Sequence, residues 1–364
     1  MSRSFCPNVN KSDYRKHCLL KYITLPFYSP PLYHRHQNMW QVPEMAAIIG
    51  QFGYNVDVIN YDDTGTILTR QYDLLIDIYP QNNAVYQHHL ADGCLKVLYS
   101  TGADPDWQNR QQTLRVQALN ARRASSFLPK ALVPPFGSEL DDFDAMFLIG
   151  NEVTLSTYGE LPIRKIFYIT NSAYLFPDND VSQKSPTTFL YLATYPQALK
   201  GLDLLLEVFS RNPALSLVVA GQYEAERDFC AIYEQELYAS PNILPVGVVD
   251  VTSPVFRKVR QIASYIILPS CSEGMSGSIL TGMSAGLIPI VSPYCGLDDD
   301  AAFHLRNCSI DCIADTVSAF ARKPLGWITA ESQRAVETIR TRYAPQHFSQ
   351  SFRAAMEGLL EVRR

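Results

Sequence analysis

The sequence has no apolar run approaching the roughly 18 residues needed to span a bilayer, and its opening stretch, MSRSFCPNVNKSDYRKH, has no hydrophobic signal core. The expectation is therefore a cytoplasmic protein. A basic excess is also missing: 31 Lys and Arg stand against 36 Asp and Glu, for a formal charge of −5, which argues against broad nucleic-acid binding. The eight cysteines, at positions 6, 18, 94, 230, 271, 295, 308 and 312, include no C-x-x-C pair of the kind a zinc site uses, and reduced thiols are expected. Leu25–His36 contains no glycine, so the G-x-G-x-x-G fingerprint that a dehydrogenase carries after its first strand is absent. There is no internal repeat or low-complexity tract.

A chain of 364 residues, 47% hydrophobic and 18% charged, has the composition of a globular protein and the length for two domains with separate cores. Apolar runs of strand length alternate with helix-period segments, which predicts parallel sheets with crossover helices. In the first half the predicted strands are Leu19–Leu25, Asn55–Tyr61, Asp73–Tyr79, Lys96–Ser100, Ala145–Ile149 and Lys165–Ile169. A helix over Gln41–Phe52 follows from the spacing of Val42, Met45, Ala46, Ile49 and Phe52. The polar segment FPDNDVSQKSPT, 176–187, reads as a linker. Beyond it, strands are expected at Phe189–Ala193, Ser216–Ala220, Asn242–Val246, Tyr265–Leu268 and Ile288–Ser292. Helices are expected at Leu199–Arg211, Glu224–Ala239 and Pro254–Ala263. This gives an α/β architecture of two Rossmann-like domains, 1–175 and 188–345, with a terminal helical segment 346–364.

The most informative stretch is Tyr265–Gly296, YIILPSCSEGMSGSILTGMSAGLIPIVSPYCG. It reads as a buried strand, a small-residue loop, a helix over Ser278–Ala285 and a second buried strand. Glycines at a helix N-terminus offer amide donors and positive dipole to a phosphate, and Glu273 adds an acceptor suited to sugar hydroxyls. Pro269-Ser270, Glu273-Gly274 and Gly286-Leu287-Ile288-Pro289 together resemble the nucleotide-sugar segment of retaining glycosyltransferases of the GT-B fold, family four. Phe189–Thr194 followed by Lys200-Gly201 resembles the same family's first strand, basic loop and helix start.

The resemblance implies a GT-B fold with two Rossmann-like domains facing a cleft and the last helix crossing back to the first domain. It implies transfer of a hexose, with retention and without a metal, from a nucleotide diphosphate sugar to a hydroxyl of a polysaccharide or lipid-linked acceptor. No cofactor is expected beyond that co-substrate. Lys200 would be the donor-phosphate cation, as against a solvated surface lysine. Glu273 would contact the donor sugar, as against a loop carboxylate in water. Thr194, Gly274, Met275, Ser276, Gly277, Ser278 and Thr281 would complete the donor site. Two positions depart from the family pattern. Thr194 stands where relatives have an arginine, and Thr281 stands where the second glutamate of the Glu-x7-Glu motif belongs. A threonine offers one oxygen where a carboxylate can accept both ribose hydroxyl protons. The run Ser276–Ile290 also resembles a bacterial branch linked to surface polysaccharides, in which small residues replace that glutamate.

The first half offers less specific candidates. His34, Arg35, His36 and Asn38 occupy the loop that faces the cleft in GT-B enzymes, with His36 a candidate for catalysis and His34, Arg35 and Asn38 for acceptor contact; a turn carrying surface histidines is the alternative. Asp104 is a candidate for the position near the reacting carbon, or else a helix N-cap. The segment 107–130 carries Arg110, Arg115, Arg122, Arg123 and Lys130 without an acid, a local charge of +5. Such a helix suits peripheral contact at the inner membrane face, or a solvated helix face. Asp142-Phe143-Asp144 and Asp298-Asp299-Asp300 have a metal-motif spacing but read as structural. Two competing readings remain: a non-catalytic GT-B protein that binds a nucleotide sugar or glycan, and a nucleotide-sugar epimerase of the same fold.

Overall fold

The computed structural model describes residues 4–29, 36–178 and 182–361. These divide into two compact units, Met1–Gly102 with Pro134–Ser172 and Pro345–Arg364, and Ala103–Val133 with Ala173–Ala344. The units interleave along the chain, whereas the sequence grouped 1–175 together.

The first unit is built on a seven-stranded sheet of order β1-β3-β2-β4-β5-β6-β7. Its strands are β1 (Phe5–Cys6), β2 (Lys16–Tyr22), β3 (Tyr54–Asn60), β4 (Tyr72–Asp77), β5 (Leu90–Ser100), β6 (Ala145–Ile149) and β7 (Ile166–Ile169). Only β1 runs antiparallel; the other neighbours are parallel, in register from Lys16 opposite Tyr54 to Tyr22 opposite Asn60. Strands of a parallel sheet are covered on both faces, so they read as continuous apolar runs, and all five residues of β6 are buried. Lys21 breaks that pattern within β2. Its ammonium lies 3.1 Å from Asp77 Oδ1, and Asp77 also accepts from the Tyr86 hydroxyl. Burial lowers the Lys21 pKa and raises that of Asp77, and their pairing works against both shifts. Helices α1 (Asn38–Gln51), α3 (Glu152–Ser156) and α12 (Pro345–Glu361) belong to this unit. Phe352 of α12 packs edge-on against Phe147, so the end of the chain is part of the first core.

The second unit holds a six-stranded, all-parallel sheet of order β10-β9-β8-β11-β12-β13. Its strands are β8 (Ser185–Ala193), β9 (Ser216–Gly221), β10 (Ile243–Gly247), β11 (Ala263–Leu268), β12 (Ile288–Val291) and β13 (Phe303–His304). Its helices are α2 (Pro105–Arg123), α4 (Gln197–Lys200), α5 (Leu202–Ser210), α6 (Arg227–Ile232), α7 (Glu234–Tyr238), α8 (Pro254–Ile262), α9 (Gly277–Ser284), α10 (Ile310–Ala321) and α11 (Leu325–Thr338). The expected helix over Leu199–Arg211 is two helices, because Gly201 turns left-handed at φ +81° between α4 and α5. The expected helix over Glu224–Ala239 is likewise split, into α6 and α7.

The basic face expected of 107–130 is not free. Arg122 donates to buried Asp203 at 2.6 Å and to buried Glu207 at 2.9 Å, Arg123 pairs with Glu236, and Lys130 lies 2.6 Å from Asp228. Arg115 donates to the Pro269 carbonyl at 3.1 Å. Three of the four cations on α2, Arg115, Arg122 and Arg123, and Lys130 beyond it, are thus engaged by partners within the second unit, so α2 is in large part a structural strut of that unit.

Candidate functional site

Two loops at the carboxyl ends of β8 and β11 bring the donor candidates together. After β11 the chain turns at Pro269 and runs along the α4–α5 junction. Cys271 N donates to the Leu199 carbonyl at 2.9 Å, and the Ser270 hydroxyl donates to the same oxygen at 3.2 Å. A Cβ on Gly201 would lie 2.6 Å from the Pro269 carbonyl oxygen, so the Lys-Gly pair allows a backbone approach that other residues would block. This docking sets Lys200 Nζ 2.5 Å from Glu273 Oε1, with the two side chains only 16% and 11% exposed. The two residues selected from separate motifs are thus one ion pair.

The opposite side of the loop is held by residues that the motif does not include. The Ser292 hydroxyl donates to the Ser270 carbonyl at 2.5 Å, and Ser276 N donates to the Cys295 carbonyl at 3.1 Å. Gly296, at φ +68°, passes so close that a Cβ there would fall 1.7 Å from the Gly274 carbonyl oxygen. The sequence PYCG carried a signal for this, a glycine ending a turn after a buried strand, but the signal does not say which backbone it meets.

Helix α9 opens at Gly277. Ser276 holds the N-cap position without a side-chain cap bond, and its hydroxyl lies 3.2 Å from that of Ser278. The positive end of this helix and the Lys200 ammonium are the two features here that favour an anion. One turn on, Thr281 is buried and its hydroxyl donates to the Gly277 carbonyl at 2.9 Å, which commits its proton to the helix. Thr194 is exposed, and its carbonyl accepts from Gln197 Nε2 at 3.0 Å. Glu226, 3% exposed, accepts from Gln197 N at 2.7 Å and ties the start of α4 to the loop after β9. Its other oxygen is buried with no hydrogen-bond partner among the described residues, and burial pushes its pKa up to about 7.

The remaining candidates stand elsewhere. Asp104 is the N-cap of α2, accepting from Trp107 N at 3.0 Å, and burial raises its pKa. His36 Nδ1 lies 3.3 Å from the Asn38 amide at the start of α1 in the first unit, while His34 and Arg35 lie outside the described residues. In the aspartate pairs, Asp142 lies 3.4 Å from Lys96, Asp144 accepts from Lys96 N, and Asp300 is paired with Arg342. Among the described residues no group of three or more His, Cys, Asp or Glu side chains is placed to hold a metal ion. The cysteines are free thiols, and no described helix is long and apolar enough to cross a membrane.

Two parallel-stranded α/β units of this order define a GT-B fold. Residues 186–323 match the model of the family described as Glycosyl transferases group 1. The match covers β8 to α10, and with it the loops that carry Lys200 and Glu273. No curated protein matches the chain by sequence. Among solved structures, sucrose-phosphate synthase from Thermosynechococcus elongatus superposes with a TM-score of 0.65 at 13% identity, over 96% of this chain and 100% of that one. WaaG, a glycosyltransferase involved in lipopolysaccharide biosynthesis, gives 0.55 at 14% identity, over 93% and 98%. A mutant of S. aureus TarM, in complex with fondaparinux, alpha-GlcNAc-glycerol and UDP, gives 0.55 at 14% identity over 79% of this chain, which spans 55% of the TarM chain. At such identities the likeness is one of fold.

Proposed function

We propose that the protein transfers a hexose from a nucleotide diphosphate sugar to a hydroxyl of a polysaccharide or lipid-linked acceptor, with retention and without a metal. The observation that carries this reading is the Lys200–Glu273 pair beside the N-terminus of α9, inside the segment that matches glycosyl transferases group 1. When a donor binds, its diphosphate would take the Lys200 ammonium and the Gly274–Ser278 amides other than that of Ser276, which donates to the Cys295 carbonyl, and Glu273 would turn to the sugar hydroxyls. The protein's part in catalysis is then to stabilise charge on the leaving diphosphate, whose oxygen helps remove the acceptor proton as the hydroxyl attacks from the same face. Binding of UDP by relatives of the same fold supports a nucleotide donor.

One observation favours a second reading. Thr281 stands where the family's second glutamate would, and its hydroxyl, which donates to the Gly277 carbonyl, leaves the ribose one acceptor oxygen where a carboxylate has two, which suits a protein that binds a nucleotide sugar or glycan without transfer. The deciding experiment offers a panel of nucleotide diphosphate sugars with oligosaccharide and lipid-diphosphate acceptors, in EDTA. An anomerically retained glycoside supports the enzyme. Stabilisation by a donor with no product from any acceptor supports the binding protein. Activity lost in EDTA and restored by magnesium or manganese overturns metal independence.

A further inference from the structure

A cavity of about 570 Å³ lies within the second unit, behind the donor loop, and neither Lys200 nor Glu273 lines it. Its wall on one side is α2, through Leu114, Arg115 and Arg122; on the other stand Tyr294, Arg306 and the opening residue of α10, Ile310. No acidic residue lines it. The three arginines are not equivalent. Arg122 is neutralised by Asp203 and Glu207, Arg115 donates to the neutral Pro269 carbonyl, and Arg306 is exposed with no acidic partner among the described residues. Positive charge is therefore left over at the Arg306 end, where the twelve-residue α10 also turns its N-terminus and Ser309 cap toward the lining. Between the arginines the surface is apolar, and Leu114 is 58% exposed there and Tyr294 38%. A soluble protein keeps a leucine and a tyrosine exposed around a concave, cationic space at a cost in hydration that a ligand with both characters would offset.

We propose that this cavity binds an amphiphilic organic phosphate, its anionic head on Arg306 and the α10 end and its apolar part against Leu114, Tyr294 and Ile310. The volume falls within the range of small-molecule sites and holds a phosphate with a short chain or a ring. The occupant would touch the donor loop at Cys271 and, through Arg115, its Pro269 carbonyl. The site is separate from the nucleotide site and does not depend on the donor reading.

The cavity has its own reporter. Tyr294 packs against Trp107 with ring centroids 4.8 Å apart, and Trp107 is one of three tryptophans in the chain. Tryptophan fluorescence of the full chain is titrated with monomeric dihexanoyl phosphatidate, dihexanoyl phosphatidylcholine, inorganic phosphate and phosphatidate vesicles. Saturable binding of the monomeric phosphatidate is expected, with inorganic phosphate and phosphatidylcholine at least about tenfold weaker. Arg306→Glu and Leu114→Asp, both at exposed positions, should each weaken it by about tenfold or more and leave UDP binding unchanged. Absence of saturation, a signal that persists in Trp107→Phe, equal binding by both variants, or displacement of the probe by UDP would each overturn the proposal. Binding to vesicles alone would do so too, since it would place the contact on a surface and not in the cavity.

Discussion

Lys200 Nζ and Glu273 Oε1 stand 2.5 Å apart, so the phosphate cation and the sugar-side carboxylate of the proposed donor site neutralise each other before any donor arrives. In the proposed donor site an entering diphosphate would compete with Glu273 for the ammonium. That exchange would free the carboxylate for the sugar and couple recognition of the two halves of a nucleotide sugar.

Replacing Lys200 with alanine is expected to lower affinity for the preferred nucleotide diphosphate by about 10- to 100-fold, since a hydrogen bond to a charged group contributes roughly 1.5–3 kcal/mol. Calorimetric titration checks this. Unchanged affinity in a folded variant would remove Lys200 from the site.

Glu273→Gln keeps the shape of the loop and removes the competing charge. Turnover should fall by at least about tenfold while nucleotide diphosphate affinity does not fall, because the nucleotide alone lacks the sugar that Glu273 would contact. Steady-state rates together with titration separate the two quantities. A variant that matches the wild-type rate would detach Glu273 from the chemistry.

Arg122→Met would leave buried Asp203 without its ion-pair partner and take one of three arginine contacts from Glu207. Removing one member of a buried ion pair costs about 3–5 kcal/mol. Urea unfolding should show a lower midpoint of that order, and a loss under about 1 kcal/mol would mean that Arg123 and Tyr233, which also reach Glu207, carry the load.

Glu226 titrates near pH 7 in the fold against an ordinary 4.5, because burial disfavours its charged form. The folded chain therefore binds more protons than the unfolded chain between these values. Stability falls as pH rises from about 4.5 to 7, by up to about 3 kcal/mol, and levels off above. Glu226→Gln should keep the bond from Gln197 N and flatten that slope. Urea midpoints at pH 5 and 8 for both proteins decide it, and parallel slopes would dismiss Glu226 as the source.

Most strands were legible in the sequence, because strands covered on both faces must be apolar throughout: Ala145–Ile149 was placed at its observed bounds, while the two-residue edge strands β1 and β13 went unread and β5 and β8 begin before the predicted Lys96 and Phe189, β8 within the expected linker. The break at Gly201 was not, since the apolar face of Leu199, Leu202, Leu205, Leu206 and Phe209 continues across it. Only the approach of Pro269, distant in sequence, demands the left-handed turn. The same blindness to tertiary partners made Arg122, Arg123 and Lys130 look like a free basic face, when their acids lie in α5, α7 and the first turn of α6. For the donor loop, motif resemblance brought Lys200 and Glu273 forward separately, while their pairing and the contact of Gly296 with Gly274 appear only once the loops are folded.

The interleaving of the units has a consequence for dissection of the molecule. The chain passes from one unit to the other at 102/103, 133/134, 172/173 and 344/345, four crossings. No single cut releases either half intact. A fragment beginning at Ala173 would lack α2 and leave Asp203 without Arg122, while Glu207 would keep Tyr233 and Arg211. To restore that pair, the 103–133 segment would have to be supplied in trans as a separate peptide.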